Sequence, residues 1–242
     1  MKKIVLVVVA FVSAAAAIAQ DKNKTTSKTD LINRAGDHIM LQLSTDHWAG
    51  TLPDSIKDHT KGLSRGANIY VMMNKPFKNN PQFSAAFGVG IGSTNMYFKN
   101  INIDVKSTAT KLPFTSLDST SHFKKYKLTT AYLEIPVELR FVKDPSRMNK
   151  SLKAAIGIKV GTLLSVHTKG KTLQNKSGST INSYTEKEYN KRFFNSTRLA
   201  ATGRVGLGNY SIFGSYQITT LLKDGVGPEI HPFEIGFCLS GL

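Results

Sequence analysis

The chain has 242 residues, a formal net charge of +16 at pH 7 and a single cysteine, Cys238. One cysteine excludes an intramolecular disulfide framework. The basic charge alone does not predict a nucleic-acid partner, because the lysines are scattered through predicted loops and form no recognisable binding module. The sequence also lacks a Gly-x-Ser-x-Gly motif, a Cys/His cluster at metal-ligand spacing and a phosphate-binding glycine loop, so we expect neither enzymatic activity nor a metal or cofactor.

The first part of the chain has the pattern of an export signal. Residues 1–19 contain two lysines, an apolar run and small residues that end at Ala17 and Ala19, and we predict a cleaved signal peptide. A membrane anchor is the alternative, although the apolar run is short for a transmembrane helix. Residues 20–37 are polar and aperiodic, which predicts a flexible periplasmic leader before a barrel domain at 38–242.

The rest of the sequence repeatedly alternates apolar and polar residues, and this period of two is typical of β-strands. About eight strands are expected, an even number that suits a bacterial outer-membrane barrel. The predicted strands are 39–46, 67–73, 83–97, 126–142, 152–166, 199–207, 210–218 and 232–240.

The strand at 126–142 separates its two faces most clearly. Every second residue from Ala131 to Phe141 is apolar, whereas Glu134 and Glu138 lie on the other face. Globular strands usually run about five or six residues, and roughly 9–11 tilted residues cross a bilayer. The length therefore predicts a transmembrane strand, with a bulge or local irregularity at Pro136, whose missing N–H cannot join a ladder.

The predicted connections alternate between long and short along the chain. Outer-membrane barrels have short periplasmic turns and long extracellular loops, so both termini are expected in the periplasm. The long connections are 48–65, 98–125 and 169–197, the short ones are 74–82, 143–151 and 208–209, and 221–231 is intermediate.

The segment AYLEIPVELRF, from Ala131 to Phe141, resembles the YLEIPxxLxF strand of the PorT-like outer-membrane β-barrel proteins. A looser resemblance extends from about Arg65 to the C-terminus. The resemblance implies a barrel and an accessory role in protein secretion or envelope assembly.

Charged residues on the faces predicted to point inward form the first candidate site. An eight-stranded barrel is only wide enough to be filled by side chains, so we predict a polar plug in which Glu134 pairs with Arg204 and Glu138 with Lys159. A proton or ion path through the two carboxylates is the alternative. The predicted plug residues are Glu134, Glu138, Arg140, Lys153, Lys159 and Arg204.

Basic residues of the long loops form the second candidate site. They are either solvated loop charge or contacts to outer-membrane lipid, to phosphorylated glycolipid or to other envelope and secretion proteins. The predicted contact residues are Lys124, Lys125, Lys169, Lys171, Lys191 and Arg192.

Histidines near the predicted outer rim are the third candidate, since a histidine oriented by a carboxylate can serve as a general base. The residues are the neighbouring pairs Asp46-His47 and Asp58-His59, with His122 and His167.

The sequence favours a non-enzymatic outer-membrane barrel of eight antiparallel up-and-down strands, which acts as a structural or interaction protein. The alternative is a soluble, secreted lipocalin-like barrel that binds an apolar ligand. A hydrolase with a rim site and a small ion-conducting barrel come third. The direction of the apolar face distinguishes the outer-membrane barrel from the lipocalin-like barrel, because a ligand-binding barrel needs an apolar interior.

Overall fold

The computed structural model describes residues 39–240. The predicted signal peptide and leader lie outside the described residues. Within that range there is a one-turn helix α1 (Asp54–Lys57) and a short 3-10 helix (Pro145–Lys150). No helix in the described range is long and apolar enough to cross a membrane. The strands are β1 (Ile39–Gly50), β2 (Ser64–Pro76), β3 (Phe83–Phe98), β4 (Ile101–Ile103), β5 (Phe114–Ser116), β6 (His122–Val142), β7 (Leu152–Gln174), β8 (Thr180–Tyr189), β9 (Thr197–Leu207), β10 (Tyr210–Gln217) and β11 (Ile230–Ser240).

Eight of the eleven strands form a ring of antiparallel pairings. Their order is β6-β3-β2-β1-β11-β10-β9-β7, and β7 also pairs with β6, which joins the two ends of that order. Ring neighbours follow one another along the chain, so the topology is up-and-down. The predicted all-β antiparallel arrangement with eight ring strands is found, and the three additional strands β4, β5 and β8 lie in connections that were predicted as loops.

The two ends of the ring differ in the length of their connections. Residues 77–82, 143–151 and 208–209 join strands at one end, which we call the turn end, and the longer connections lie at the other, the loop end. Met40 of β1 pairs with Ser240 of β11. The first described strand therefore begins at the turn end, and the last described strand ends there.

Strands β6 and β7 extend further toward the loop end than the sequence predicted. β6 begins at His122 rather than at Tyr126, and β7 continues to Gln174 rather than ending at Val166. These segments are rich in lysine and threonine and carry little apolar signal, but the two strands continue to pair with each other. β8 pairs with the end of β7, which gives a three-stranded extension beyond the ring.

The β3–β6 ladder is interrupted at Pro136. Pairing within the described residues runs up to Phe87 with Val137, skips the two positions that include Pro136, and resumes at Gly90 with Glu134 in the same register. A separate register shift in the β6–β7 ladder lies beside Ala131. A local irregularity at the proline was expected because the residue has no N–H to donate.

Outward-facing side chains of the ring are apolar and exposed. On β6, Leu133, Ile135 and Leu139 have 40%, 54% and 44% of their surface exposed, while Glu134 and Glu138 between them are buried. The polarity is thus opposite to that of a water-soluble barrel. Other exposed apolar residues include Leu43, Ile69, Val71, Phe87, Val89, Ile156, Val205, Ile212, Ile235 and Phe237.

The long connections at the loop end share an apolar core with the ring interior. Phe98, Ile103 and Phe194 are fully buried in it, and Phe193 and Leu222 are nearly so. Side chains from β6 and β7 complete the core from inside the ring, among them Leu128, Tyr132, Leu163 and Val166. The connections therefore pack over the loop end of the ring, because this apolar surface is buried only when they do so.

Candidate functional site

A buried arginine lies at the centre of the ring interior. Arg198 of β9 donates from Nη1 to Oε1 of Glu134 at 2.8 Å and from Nη2 to Oε1 of Glu234. Its guanidinium also lies 5.2 Å from the ring centre of Tyr132. Since β6, β9 and β11 carry the three ionic groups, one side chain connects three separate strands of the ring.

The second oxygen of each carboxylate also has partners. Tyr70 of β2 donates its hydroxyl to Oε2 of Glu134, and Asn68 donates to Oε2 of Glu234 at 3.1 Å. Lys159 lies 3.5 Å from the same Oε2 of Glu234. Both carboxylates thus contact a cation and a neutral donor, as buried charges require.

Glycines on the inward face of β3 make room for these large side chains. A Cβ at Gly92 would lie 2.8 Å from Oε2 of Glu134, and one at Gly90 would lie 2.6 Å from the ring of Tyr70. The side chains of Tyr70 on β2 and Glu134 on β6 therefore fill the space beside the glycines of β3.

A second ionic group lies nearer the turn end. Glu138 accepts from Nε of Arg140 at 2.8 Å and from Nη2 of Arg204 at 3.1 Å, and Arg204 also donates to the hydroxyl of Ser240 at 3.3 Å. Lys153 is half-buried and lines a small cleft beside the two arginines. The two ionic groups lie at different levels of the ring.

The ion pairs inside the ring differ from the two predicted pairings. Glu134 pairs with Arg198 rather than with Arg204, and Glu138 pairs with two arginines rather than with Lys159. Register explains the difference. Across β6–β7, Pro136 lies opposite Lys159, and the lysine side chain reaches Glu234 of β11 instead.

Two residues at the centre of the site were missed by the sequence analysis. Arg198 lies between the predicted connection 169–197 and the predicted strand 199–207, and β9 includes it because the strand begins at Thr197. Glu234 lies within the predicted strand 232–240 and is absent from the predicted plug residues. Extending the alternation of Ala200 and Thr202 back by one step would have placed Arg198 on the inward face.

This arrangement can stabilise the ring but offers little for catalysis. The carboxylates of Glu134, Glu138 and Glu234 are paired with cations, and an apolar core closes the loop end above them. Among residues 39–240, no group of three or more His, Cys, Asp or Glu side chains is placed to hold a metal ion.

The predicted basic contact residues separate into two groups. Lys125, Lys169 and Lys171 lie on paired strands of the extension, and Lys124 is exposed on the other face of β6. Lys191 and Arg192 lie in the connection before β9, where Lys191 donates to the backbone oxygen of Leu163 and Arg192 donates to that of Ser107. The side chains of Lys191 and Arg192 therefore bind backbone oxygens of this chain.

The rim histidines do not pair with their sequence neighbours. Asp46 is buried inside the ring, where it accepts from Ser44 at 2.7 Å, whereas the ring of His47 stacks on Phe233 at 5.1 Å. His59 contacts Asp118 rather than Asp58. Adjacent strand residues point to opposite faces, so the Asp46-His47 arrangement of a general base and its orienting carboxylate is absent from this part of the described structure.

The contact of His59 with Asp118 joins two long connections. Nε2 of His59 lies 2.9 Å from Oδ2 of Asp118, and Nδ1 lies 2.7 Å from the backbone oxygen of Ser55. Asn100 donates to Oδ1 of Asp118 at 3.0 Å and Ser116 to Oδ2 at 2.8 Å. Hydrogen bonds from Asn100, Ser116 and His59 lower the pKa of Asp118 to about 2.

We expect Asp118→Asn to loosen this contact, and acid to do the same. Because the folded pKa of Asp118 is below its ordinary value of 3.8, the contact contributes fully above pH 3.8 and is lost as the pH falls through about 2. Hydrogen exchange at residues 51–63 and 99–121 should be faster in the variant at pH 5. The matched control is Asp144→Asn in the turn end. Unchanged exchange in the Asp118 variant would contradict the proposed role of the contact.

The exposed apolar band around a filled, charged interior defines a class of protein, the outer-membrane β-barrels. The sequence model described as "Outer membrane protein beta-barrel domain" matches residues 36–220. The chain belongs to that family, whose location is the outer membrane. The match supports the general family, and the narrower PorT-like resemblance stays a prediction.

Two solved structures of Ail, the attachment invasion locus protein of Yersinia pestis, are similar to this chain. The complex with the heparin analogue sucrose octasulfate is 15% identical, covering 83% of this chain and 95% of that chain with a TM-score of 0.34. The second structure is 13% identical with the same coverage and a TM-score of 0.31. No curated protein matches the chain.

Proposed function

We propose that this protein is a non-enzymatic barrel of the bacterial outer membrane, with both termini in the periplasm and a structural or interaction role carried by its outer connections. Its lumen is a structural plug and not an ion path. In this proposal residues 1–19 are a cleaved signal peptide, residues 20–37 are a periplasmic leader, and the eight ring strands close a transmembrane barrel.

The observation that carries the proposal is the polarity of β6, where Ile135 faces outward and is exposed while Glu134 faces inward and is fully buried. A lipocalin-like barrel would place the apolar face inside to hold its ligand. A lipid environment around the ring explains the polarity of both faces of β6. The outward apolar side chains are then removed from water, and the inward charges pair with each other inside the ring. An accessory role in secretion or envelope assembly rests on the PorT-like resemblance.

The proposal is tested by locating the protein in cells. We expect it in the outer-membrane fraction after density separation, with a gel mobility that changes on heating. Recovery of the folded protein from the periplasm or the medium without detergent would overturn the membrane assignment.

Cysteine labelling tests the orientation. In a Cys238→Ala background, Ser177→Cys at the β7–β8 turn should react with a membrane-impermeant maleimide on intact cells, because the loop end faces outward. Ser146→Cys in the turn end is also exposed and should react only after the outer membrane is opened. The reverse pattern would show that the termini lie outside.

A further inference from the structure

Five lysines of the three-stranded extension lie on one face in two adjacent rows. Lys127 of β6 lies directly opposite Lys169 of β7, which lies directly opposite Lys187 of β8. In the next row toward the tip, Lys125 lies opposite Lys171. Residues two apart on a strand share a face, so all five side chains emerge from the same surface. We call them the lysine ladder.

The lysine ladder is electrostatically unfavourable without an anion. Like charges directly opposite on neighbouring strands destabilise a sheet, and here three such lysines are consecutive in one row. The acidic residues of β8 do not neutralise this repulsion, because they do not lie on the same surface as the lysines. Glu186 and Glu188 alternate with Lys187 and therefore face the other side, where Glu188 lies 3.9 Å from Lys106.

Neutral and aromatic groups border the lysine ladder. Lys127 is half-buried, donates to Oδ1 of Asn95 at 2.6 Å and lies 5.7 Å from the ring centre of Tyr97. On the side toward the ring, His167 packs against Tyr189 with ring centres 5.0 Å apart. Such a border of amide, phenol and imidazole groups suits a polar headgroup that lies across the strands.

The position of the lysine ladder along β6 matches the level of lipid headgroups. The outward apolar residues run from Ala131 to Phe141, which gives a band about 25 Å tall when strands rise about 3.3 Å per residue and tilt by about 40°. Lys127 lies four residues beyond Ala131 on the same face. By the same geometry it lies roughly 10 Å above the edge of the band, within or just above the headgroup region.

We propose that the lysine ladder binds the phosphate groups of a lipid headgroup in the outer leaflet. This inference rests on the proposed membrane location and orientation. The lysine ladder is continuous with the lipid-facing surface of the same strands. The phosphate of a membrane lipid whose acyl chains contact the apolar band can therefore reach the lysines. The lysines supply several positive charges at one level, which favours phosphate headgroups with a net negative charge over zwitterionic ones.

The test compares two variants that lose the same number of charges. The ladder variant carries Lys127→Gln, Lys169→Gln and Lys187→Gln. The control variant carries Lys111→Gln, Lys124→Gln and Lys176→Gln, three exposed lysines outside the ladder. Each protein is refolded into phosphatidylcholine vesicles with a minority of phosphatidic acid, and native mass spectrometry measures the ratio of the two lipids that remain bound.

Wild type and the control variant should retain phosphatidic acid in preference to phosphatidylcholine. The ladder variant should lose at least about tenfold in that ratio, because each lysine near an anionic surface contributes on the order of a fivefold factor. Higher salt should weaken retention by wild type. Equal loss in both variants, or no preference in wild type, would overturn the proposal.

Soluble tripolyphosphate distinguishes a free anion from a lipid. If it binds detergent-solubilised wild type through the lysine ladder while lipid retention does not depend on the ladder, the ligand is a soluble polyanion and the lipid assignment is wrong. Failure of wild type to insert into vesicles would instead contradict the proposed membrane function. Insertion without ladder-dependent retention contradicts only the present inference.

Discussion

Replacement of Arg198 by methionine is expected to lower the free energy of unfolding by about 3–5 kcal/mol, the cost of leaving a buried charge without its partner. Arg198 is the cation that contacts Glu134, and both residues are almost entirely buried. Methionine replaces the aliphatic part of the arginine side chain without its charge, so the loss comes mainly from the stranded carboxylate. The measurement is urea unfolding of the protein refolded in detergent.

The double variant Glu134→Gln with Arg198→Met should recover most of that loss. It removes the charge that the single variant leaves unpaired, while Glu234 keeps its contact with Lys159. Glu134→Gln alone should cost less than Arg198→Met, because Arg198 still pairs with Glu234. Additive losses in this double-mutant cycle would mean that the two residues do not act as a pair.

The same variants separate a structural plug from an ion path. A plug predicts no steady single-channel conductance in wild type, because side chains fill the ring interior and an apolar core closes the loop end. A steady conductance that disappears in Glu134→Gln would favour the ion path instead.

Replacement of Ile135 by arginine is expected to cost about 2–4 kcal/mol, the penalty for a lipid-facing cation near the bilayer midplane. Ile135 lies near the middle of the outward apolar residues of β6, and 54% of its surface is exposed. In a water-soluble protein an exposed isoleucine could be replaced at little cost, so the variant tests lipid exposure. The measurement is unfolding of the protein in vesicles.

The matched control is Ala131→Arg, on the same strand and the same face but at the edge of the band. Penalties for arginine fall to about 0–1 kcal/mol near the membrane interface. Equal costs at the two positions would mean that no depth-dependent apolar phase surrounds the ring. A small cost at both positions would indicate that this face meets water.

The number of ring strands and the inward and outward faces of β6 could be predicted from the sequence because they depend on local alternation. Ala131 to Phe141 specifies an outward apolar face whatever the neighbours are, since side chains of a strand alternate with period two. The alternation of long and short connections likewise follows from chain order. Both features require no knowledge of which residues meet across the ring.

The extent of the strands could not be predicted beyond the apolar band. Residues such as Lys125 and Lys171 give no hydrophobic signal, and their strand conformation comes from the pairing of β6 with β7. The rows of the lysine ladder therefore follow from register, which backbone pairing across strands sets and which spacing within one strand does not reveal.

The alternation of side chains along a strand is enough to assign the inward-facing residues, but the contacts between those residues depend on the folded ring. Glu134 and Arg198 are 64 positions apart, and their contact depends on the closure of the ring and the tilt of its strands. Charges on one face are compatible with several partners, and burial selects the geometry in which each carboxylate reaches a cation. The choice of Arg198 rather than Arg204 for Glu134 was therefore a property of the folded ring.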